Sequence, residues 1–366
     1  MRNLFISAIF LVLMLPVAGA VQAQELSVTI GVSAPLTGAQ ANVGDDMVKG
    51  AQLAVDQARG IKVKLDIEDD ACDPQTGVNA ANKMVANRDQ IVTGYYCSGA
   101  AVPSTAVLHR AHIPTIIAAA INPSIMQQGF PEMFRIMATT LQEAPVATKV
   151  LNQIYQAKTV VILHDNSAVT KTEADTIAAD FTAHGGKVLL ESGVAPGTTE
   201  FGVTVARIVS LNPDAVVQAL YYTESALMAK QLDAAGYPGK MLILVGGVNP
   251  GFIKIAGDKL AEKYIYLSQP VTSQIPKAKA FIEAYKAKYG AGPGPISVYV
   301  YDAVNIAIAV VKQANSTDPD KVIAALRAYR GEGTTGPIQF DSSGQLAGEG
   351  GFPPLIVRNG QFILRQ

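Results

Sequence analysis

Tryptophan is absent from the 366 residues, cysteine occurs twice and histidine four times. Two cysteines cannot staple a disulfide-rich miniature fold or fill a four-cysteine zinc site. Charged residues make up only 16% of the chain, and 29 basic side chains stand against 30 acidic ones. That balance leaves no surplus of positive charge to neutralise phosphates, so a nucleic-acid partner is not expected. Neither G-x-G-x-x-G nor G-x-x-x-x-G-K-[ST] occurs, which removes the dinucleotide and P-loop readings. No cofactor is expected. No histidine and acid cluster with metal-ligand spacing is present either, and adjacent His164-Asp165 at a strand end point apart, so no metal is expected. After the N-terminus no run of about 20 apolar residues appears, as a spanning helix would need. What is present in quantity is apolar side chain, at 49%, enough for sizeable cores and about two domains.

Met1-Arg2-Asn3 gives a short positive start, Leu4 to Val17 is apolar and uncharged, and Val21-Gln22-Ala23 resembles a small-residue cleavage site. Residues 1–23 read as an export signal and 24 as the mature start, with a periplasmic destination. An oxidising compartment allows Cys72 and Cys97 to pair; two buried thiols are the alternative.

The body alternates strand and helix. Strands are expected at Val28–Ala34, Val63–Ile67, Ile91–Gly94, Thr115–Ala118, Thr159–Leu163, Lys187–Glu191, Ala215–Gln218 and Met241–Val245, with Thr159–Leu163 the near-continuous apolar run of a parallel sheet. Between them come helices opened by Asp45-Asp46 and over Gln75–Arg88, from about Ala101, and over Ala168–His184, Phe201–Ser210 and Glu224–Gly236. Helices at Lys277–Tyr289, Ser297–Ala314 and Asp320–Tyr329 and short strands close the chain. The fold class is α/β, with two similar βα series forming two lobes.

Ligands in open α/β sheets lie beyond the carboxyl ends of the strands. The loop Tyr95-Tyr96-Cys97-Ser98-Gly99-Ala100 stands there, before a helix. Free N–H groups and the Ser98 hydroxyl suit a carboxylate, although Ser98 could equally cap the helix. A hydrolase elbow would need G-x-S-x-G, and Tyr96 and Ala100 hold both glycine positions.

Asp69-Asp70-Ala71-Cys72-Asp73-Pro74, Ala80-Ala81-Asn82-Lys83 and Gly94-Tyr95-Tyr96-Cys97-Ser98 resemble the branched-chain amino-acid-binding family, the periplasmic solute receptors of ABC importers. Pro35-Leu36-Thr37-Gly38, Ile162-Leu163-His164-Asp165 and Ala234-Ala235-Gly236 do too, and the resemblance spans nearly the whole mature chain. It implies two Rossmann-like lobes of the type I periplasmic binding protein fold, joined by three crossings and closing on ligand. The expected lobes are 24–139 plus about 269–347, and 140–268 plus about 348–366. It implies a non-enzymatic, monomeric receptor serving an inner-membrane ABC permease. The family's carboxylate serine matches Ser98, its backbone contacts match Ala119 and Ala120, and a ligand tyrosine matches Tyr221, with Tyr96 beside the serine. Ile121, Val43, Val169 and Val245 stand where relatives carry a threonine, two aromatic residues and the acid that pairs the ligand ammonium. An acid missing at Val245–Gly247 implies a small carboxylate ligand without an α-ammonium. The alternatives are an amino-acid or amide receptor with a relocated acid, for which Glu224 is the candidate, and a periplasmic sensor module.

Overall fold

The computed structural model describes residues 26–348 and 351–365; the expected export signal lies outside them. Five parallel strands build the first sheet: β1 (Ser27–Ala34), β2 (Lys62–Asp69), β3 (Ile91–Gly94), β4 (Thr115–Ile117) and β5 (Met133–Arg135), in the order β2-β1-β3-β4-β5. The second sheet holds β6 (Thr159–His164), β7 (Lys187–Gly193), β8 (Ala215–Ala219), β9 (Lys240–Ile243) and β10 (Ile265–Leu267) in the same winding. Between β10 and the chain end come a hairpin, β11 (Arg330–Gly333) with β12 (Gly336–Gln339), and then β13 (Pro354–Arg358) and β14 (Gln361–Leu364). The last two add to the second sheet antiparallel, giving the order β14-β13-β10-β9-β8-β6-β7.

Burial explains the strand sequences. Every residue of β3 and β8 is buried, and so are all but the first of β6, because helices cover both faces of a parallel sheet. Helix Ser297–Ala314 is apolar on most of its circumference because it is wedged between helix Ala41–Gln57 and the first sheet. It joins a core with Ile30, Val32, Ile116 and Phe134. The second lobe has its own cores around Leu163, Val216, Ile243 and Tyr266, and around Val160, Ile177, Phe181 and Leu242. The chain crosses between sheets near 136–139, 268–278 and 340–353.

Three elements differ from the sequence expectations. The first helix starts at Ala41 after a 3-10 turn at Gly38–Gln40, one turn before Asp45. Asp46 therefore does not serve the helix dipole. It is buried and accepts from the Tyr285 hydroxyl at 2.9 Å and from the Gly294 and Ser297 N–H groups at 2.8 and 2.9 Å. The third helix begins at Ser98, not Ala101, with Cys97 as its N-cap. A further helix, Thr140–Lys149, follows the first crossing; its interior Pro145 hides it from a periodicity search. Its start is fixed by Thr139, whose hydroxyl accepts from the Leu141 N–H while Gln142 accepts from the Thr139 N–H. Among the described residues no helix is long and apolar enough to cross a membrane.

Candidate functional site

The Asp69–Pro74 segment shapes one wall of the interlobe cleft. Asp69, at the end of β2, accepts from the N–H groups of Leu36 and Ala71, both at 2.8 Å, and from the Thr37 hydroxyl at 2.6 Å, tying the loop after β1 to its neighbour. Asp70 is fully buried, takes the Ser33 hydroxyl at 2.8 Å and orders the Cys72 N–H. Asp73 caps the helix that Pro74 opens. Ala71 and Cys72 take positive φ of 47° and 56°, and Cys72 bridges to Cys97 with Cα atoms 5.1 Å apart. The bridge passes over the end of β1, because β2 and β3 flank β1 and do not pair with each other.

Gly94 and Tyr95 turn the chain out of β3 with φ of 102° and 60°. A Cβ on Gly94 would stand 2.2 Å from the Ser33 carbonyl oxygen, so only glycine permits this approach. The turn aims Tyr96 and Ser98 into the cleft. Ser98 is wholly buried, and its Oγ accepts from the Asn122 N–H at 3.2 Å. It is not the helix cap. The Ala100 and Ala101 N–H groups close on the Cys97 carbonyl, leaving those of Ser98 and Gly99 without a protein acceptor among the described residues.

The loop after β4 faces them. Arg135, 1% exposed, donates to the carbonyls of Ala120 at 3.3 Å and Asn122 at 2.7 Å, and burial lowers its pKa to about 10. Held by its carbonyls, the loop leaves the N–H groups of Ala119, Ala120 and Ile121 without a protein acceptor among the described residues. The Ala120 methyl packs backward among Tyr95, Ala101, Ile117 and Ile125, so only its main chain is free for a ligand. The Asn122 N–H on Ser98 Oγ joins the two loops, and their free N–H groups are donors of the kind that hold an anion.

The second lobe closes over this spot. Val43, Ala119, Ile121 and Val169 lie in one apolar cluster, and the half-buried Tyr96, Tyr221 and Val245 pack against it. The Tyr221 hydroxyl points at Cys97 Sγ from 3.4 Å, and its ring lies 5.9 Å from that of Tyr96. Burial pushes both phenols well above their ordinary pKa, with negative neighbours adding to it. Asn122 Nδ2 crosses to the Ala168 carbonyl at 2.6 Å and the Thr172 hydroxyl at 3.0 Å. At the rim, Tyr222 reaches Asn42 and the Ala39 carbonyl, each at 3.3 Å. Of the nine residues expected at the site, Val43, Ala119, Ile121, Val169, Tyr96, Tyr221 and Val245 share this cluster, while Ser98 bonds to the neighbouring Asn122 and Ala120 packs in another core of the first lobe.

Glu224 is bonded elsewhere through one oxygen, while its Oε2 is buried without a partner among the described residues. Its Oε1 accepts from the Gly197 N–H at 2.8 Å, turned toward the loop that precedes helix Gly202–Leu211. His164 and Asp165 organise their own loop: His164 Nδ1 accepts from Asn166 and Asp165 from Ser167 and Thr170. Among the described residues no group of His, Cys, Asp or Glu could hold a metal. Two acids not flagged in the sequence, Glu143 and Glu173, are 0% and 2% exposed in the second lobe, with the Glu143 carboxyl near the Val245 N–H and Glu173. A signal existed: Glu173 interrupts the apolar stripe Val169, Ile177 and Phe181.

Two Rossmann-like lobes meeting across a cleft have the architecture of a two-lobed solute receptor. The chain belongs to the branched-chain amino-acid-binding family of periplasmic binding proteins. The profile described as periplasmic binding protein matches residues 27–350. The leucine-, isoleucine-, valine-, threonine- and alanine-binding protein of Pseudomonas aeruginosa is 30% identical over 326 residues, covering 87% of each chain. Leu/Ile/Val-binding protein homolog 3 of Brucella melitensis is 31% identical over 90% of this chain and 91% of its own. A leucine-binding protein of Thermotoga maritima superposes with a TM-score of 0.85 at 26% identity, covering 93% of this chain and 98% of that one. The fold is shared by an R. palustris solute-binding protein solved with benzoate, at a TM-score of 0.84 and 21% identity, over 92% of this chain and 95% of that one.

Proposed function

We propose that the protein is the exported, periplasmic receptor of an ABC importer, taking a small carboxylate with an apolar body between its lobes and presenting it to an inner-membrane permease. The observation that carries this reading is the Asn122 N–H on Ser98 Oγ, which joins two loops whose N–H groups at Ser98, Gly99, Ala119, Ala120 and Ile121 have no acceptor among the described residues. Hydrogen bonds to a charged acceptor are the strong ones, and these need no reorganisation when the ligand arrives. Val43, Ile121, Val169 and Val245 supply an apolar lining for the rest of the molecule.

Residues 24–139 with about 269–347, and 140–268 with about 348–366, act as the two lobes, hinged at the three crossings. Binding without turnover fits the surroundings of Ser98. Its Oγ takes a main-chain N–H, and among the described residues no imidazole or carboxylate bonds to it. The protein works as a monomer, with the cleft completed by a single chain.

Ser98→Ala tests the reading. It should weaken carboxylate binding by about 1–3 kcal/mol, roughly 5- to 150-fold, with little change in melting temperature. Calorimetric titration of leucine, 4-methyl-2-oxopentanoate and benzoate against both proteins gives the comparison. Equal affinities would remove the carboxylate from the Ser98 cradle.

A further inference from the structure

Arg135 ends β5, directly before the first crossing between the lobes. Its side chain is 1% exposed. Nε donates to Gln345 Oε1 at 2.8 Å, and Nη1 donates to the carbonyls of Ala120 and Asn122 at 3.3 and 2.7 Å. Its main chain is held too, by the Gly344 carbonyl at 2.9 Å and the Leu346 N–H at 2.8 Å. The guanidinium is therefore fixed between the third crossing and the loop after β4.

Each of these side-chain acceptors is a neutral oxygen. Among the described residues no ion pair includes Arg135. Burial lowers its pKa to about 10, with no acid opposing the shift. At neutral pH the group is still a full cation. A buried charge is costly unless an opposite charge answers it. The protein supplies none here, so the answering charge is to be sought in a ligand.

The backbone shows where that ligand would feel it. The Ala120 carbonyl and the Ile121 N–H belong to one trans peptide unit and point in opposite directions. Arg135 sits at the oxygen end. The N–H end, which has no acceptor among the described residues, points away from it. A cation on the oxygen polarises the unit and makes its N–H a stronger donor. The bond to the Asn122 carbonyl passes nothing on, because the next residue is Pro123 and has no N–H; it only fixes the guanidinium. An anion accepting from Ile121 thus meets a polarised dipole with a full positive charge one peptide unit behind it, in surroundings of low dielectric.

We propose that Arg135 is a positioning residue that sets the charge specificity of the site: without touching the ligand, it makes the Ala119–Ile121 loop select an anionic carboxylate over a neutral group of the same shape. The proposal rests on the receptor reading above and adds the source of its discrimination. Gln345 holds the guanidinium in register, and its amide, being neutral, leaves the charge unanswered.

Calorimetry on the mature protein at pH 7 with three acid and amide pairs tests this: leucine and leucinamide, 4-methylpentanoate and 4-methylpentanamide, benzoate and benzamide. At least one acid should bind about tenfold or more tightly than its amide. Arg135→Gln should shrink that ratio about tenfold, and Arg135→Lys, which keeps the charge with fewer donors, should restore most of it. A residue that merely stitched the loop in place would weaken acid and amide alike and leave the ratio unmoved. Gln345→Glu probes the same charge with Arg135 left in place, so it decides even where the Arg135 variants fold poorly. Its carboxylate pairs with the guanidinium, and the ratio should again fall about tenfold. An unaltered ratio in Arg135→Gln or Gln345→Glu, or an Arg135→Lys protein no better than Arg135→Gln, would overturn the proposal while leaving the Ser98 cradle standing, since Ser98→Ala tests that separately. Amides that bind as tightly as their acids would overturn the proposal and the carboxylate assignment together. Failure of all six probes to bind would overturn the receptor reading as well.

Discussion

Replacing Asn122 with alanine isolates the free energy of lobe closure. Its side-chain amide is shared between lobes, with Nδ2 on the Ala168 carbonyl and the Thr172 hydroxyl, while Oδ1 accepts from the Ser124 N–H within the first lobe at 2.8 Å. The two crossing bonds exist only when the lobes are together. At about 0.5–1.5 kcal/mol each, their loss raises the closed form by about 1–3 kcal/mol relative to the open one. Ligand is held by the closed form, so the apparent dissociation constant rises by the same factor, about 5- to 150-fold. The bond to Ser124 is present in both forms, so its loss lowers folding stability by about 1 kcal/mol without touching closure. Stopped-flow dissociation should show the change mainly as faster release, because the opening step is what the bonds oppose. Thr172→Val removes one of the two bonds, and the double variant should be less than additive. An Asn122→Ala protein with a lowered melting temperature and an unaltered dissociation rate would show that closure does not depend on this contact.

Two other titratable sites make separate predictions. Asp89 is 4% exposed with neither carboxyl oxygen partnered, and burial, with Asp66 adding repulsion, raises its pKa to about 8. The fold keeps its proton while the unfolded chain loses it near pH 4, so stability falls as pH rises from about 4 to 8. Asp89→Asn should stabilise by about 1–2 kcal/mol at pH 8, a figure reduced for screening by water, and by less at pH 5; a melting-temperature difference that does not grow with pH would refute this. His112, bonded to Asp320 and Glu132 at 2.8 and 2.7 Å, is raised above its ordinary value by those two acids in that order. Its contribution is therefore complete below about pH 6.5 and lost as pH rises through the higher folded value. His112→Gln should lower the melting temperature more at pH 6 than at pH 8, and the opposite order would sink the assignment.

Much of the fold is legible from residue pattern. Thr159-Val160-Val161-Ile162-Leu163 announces a strand buried on both faces, and Asp73-Pro74 announces a capped helix start. Three-residue strands such as β5 and β10 carry too little pattern to stand out, and Pro145 masks the helix that bears Glu143. The first-lobe half of the site is contiguous in sequence around Ser98 and around Ala119–Ile121, so motif reading reaches it. Glu143 and Glu173 lie on different helices, and only packing brings them together.

The first lobe contains a long wait. Its sheet is complete by Arg135, yet the helix that covers β1 and β3 is Ser297–Ala314, with the whole second lobe intervening. During synthesis helix Ala41–Gln57 can cover part of the apolar face early, but the stretch over β3 and β4 stays open until Ser297–Ala314 has been made. Contacts so distant in sequence make closing the lobe slow. For a chain exported as proposed, slowness is useful, since a lobe that cannot finish before its own C-terminal third exists stays threadable through a membrane channel. The order of segments along the chain thus sets a timetable in which translocation precedes folding.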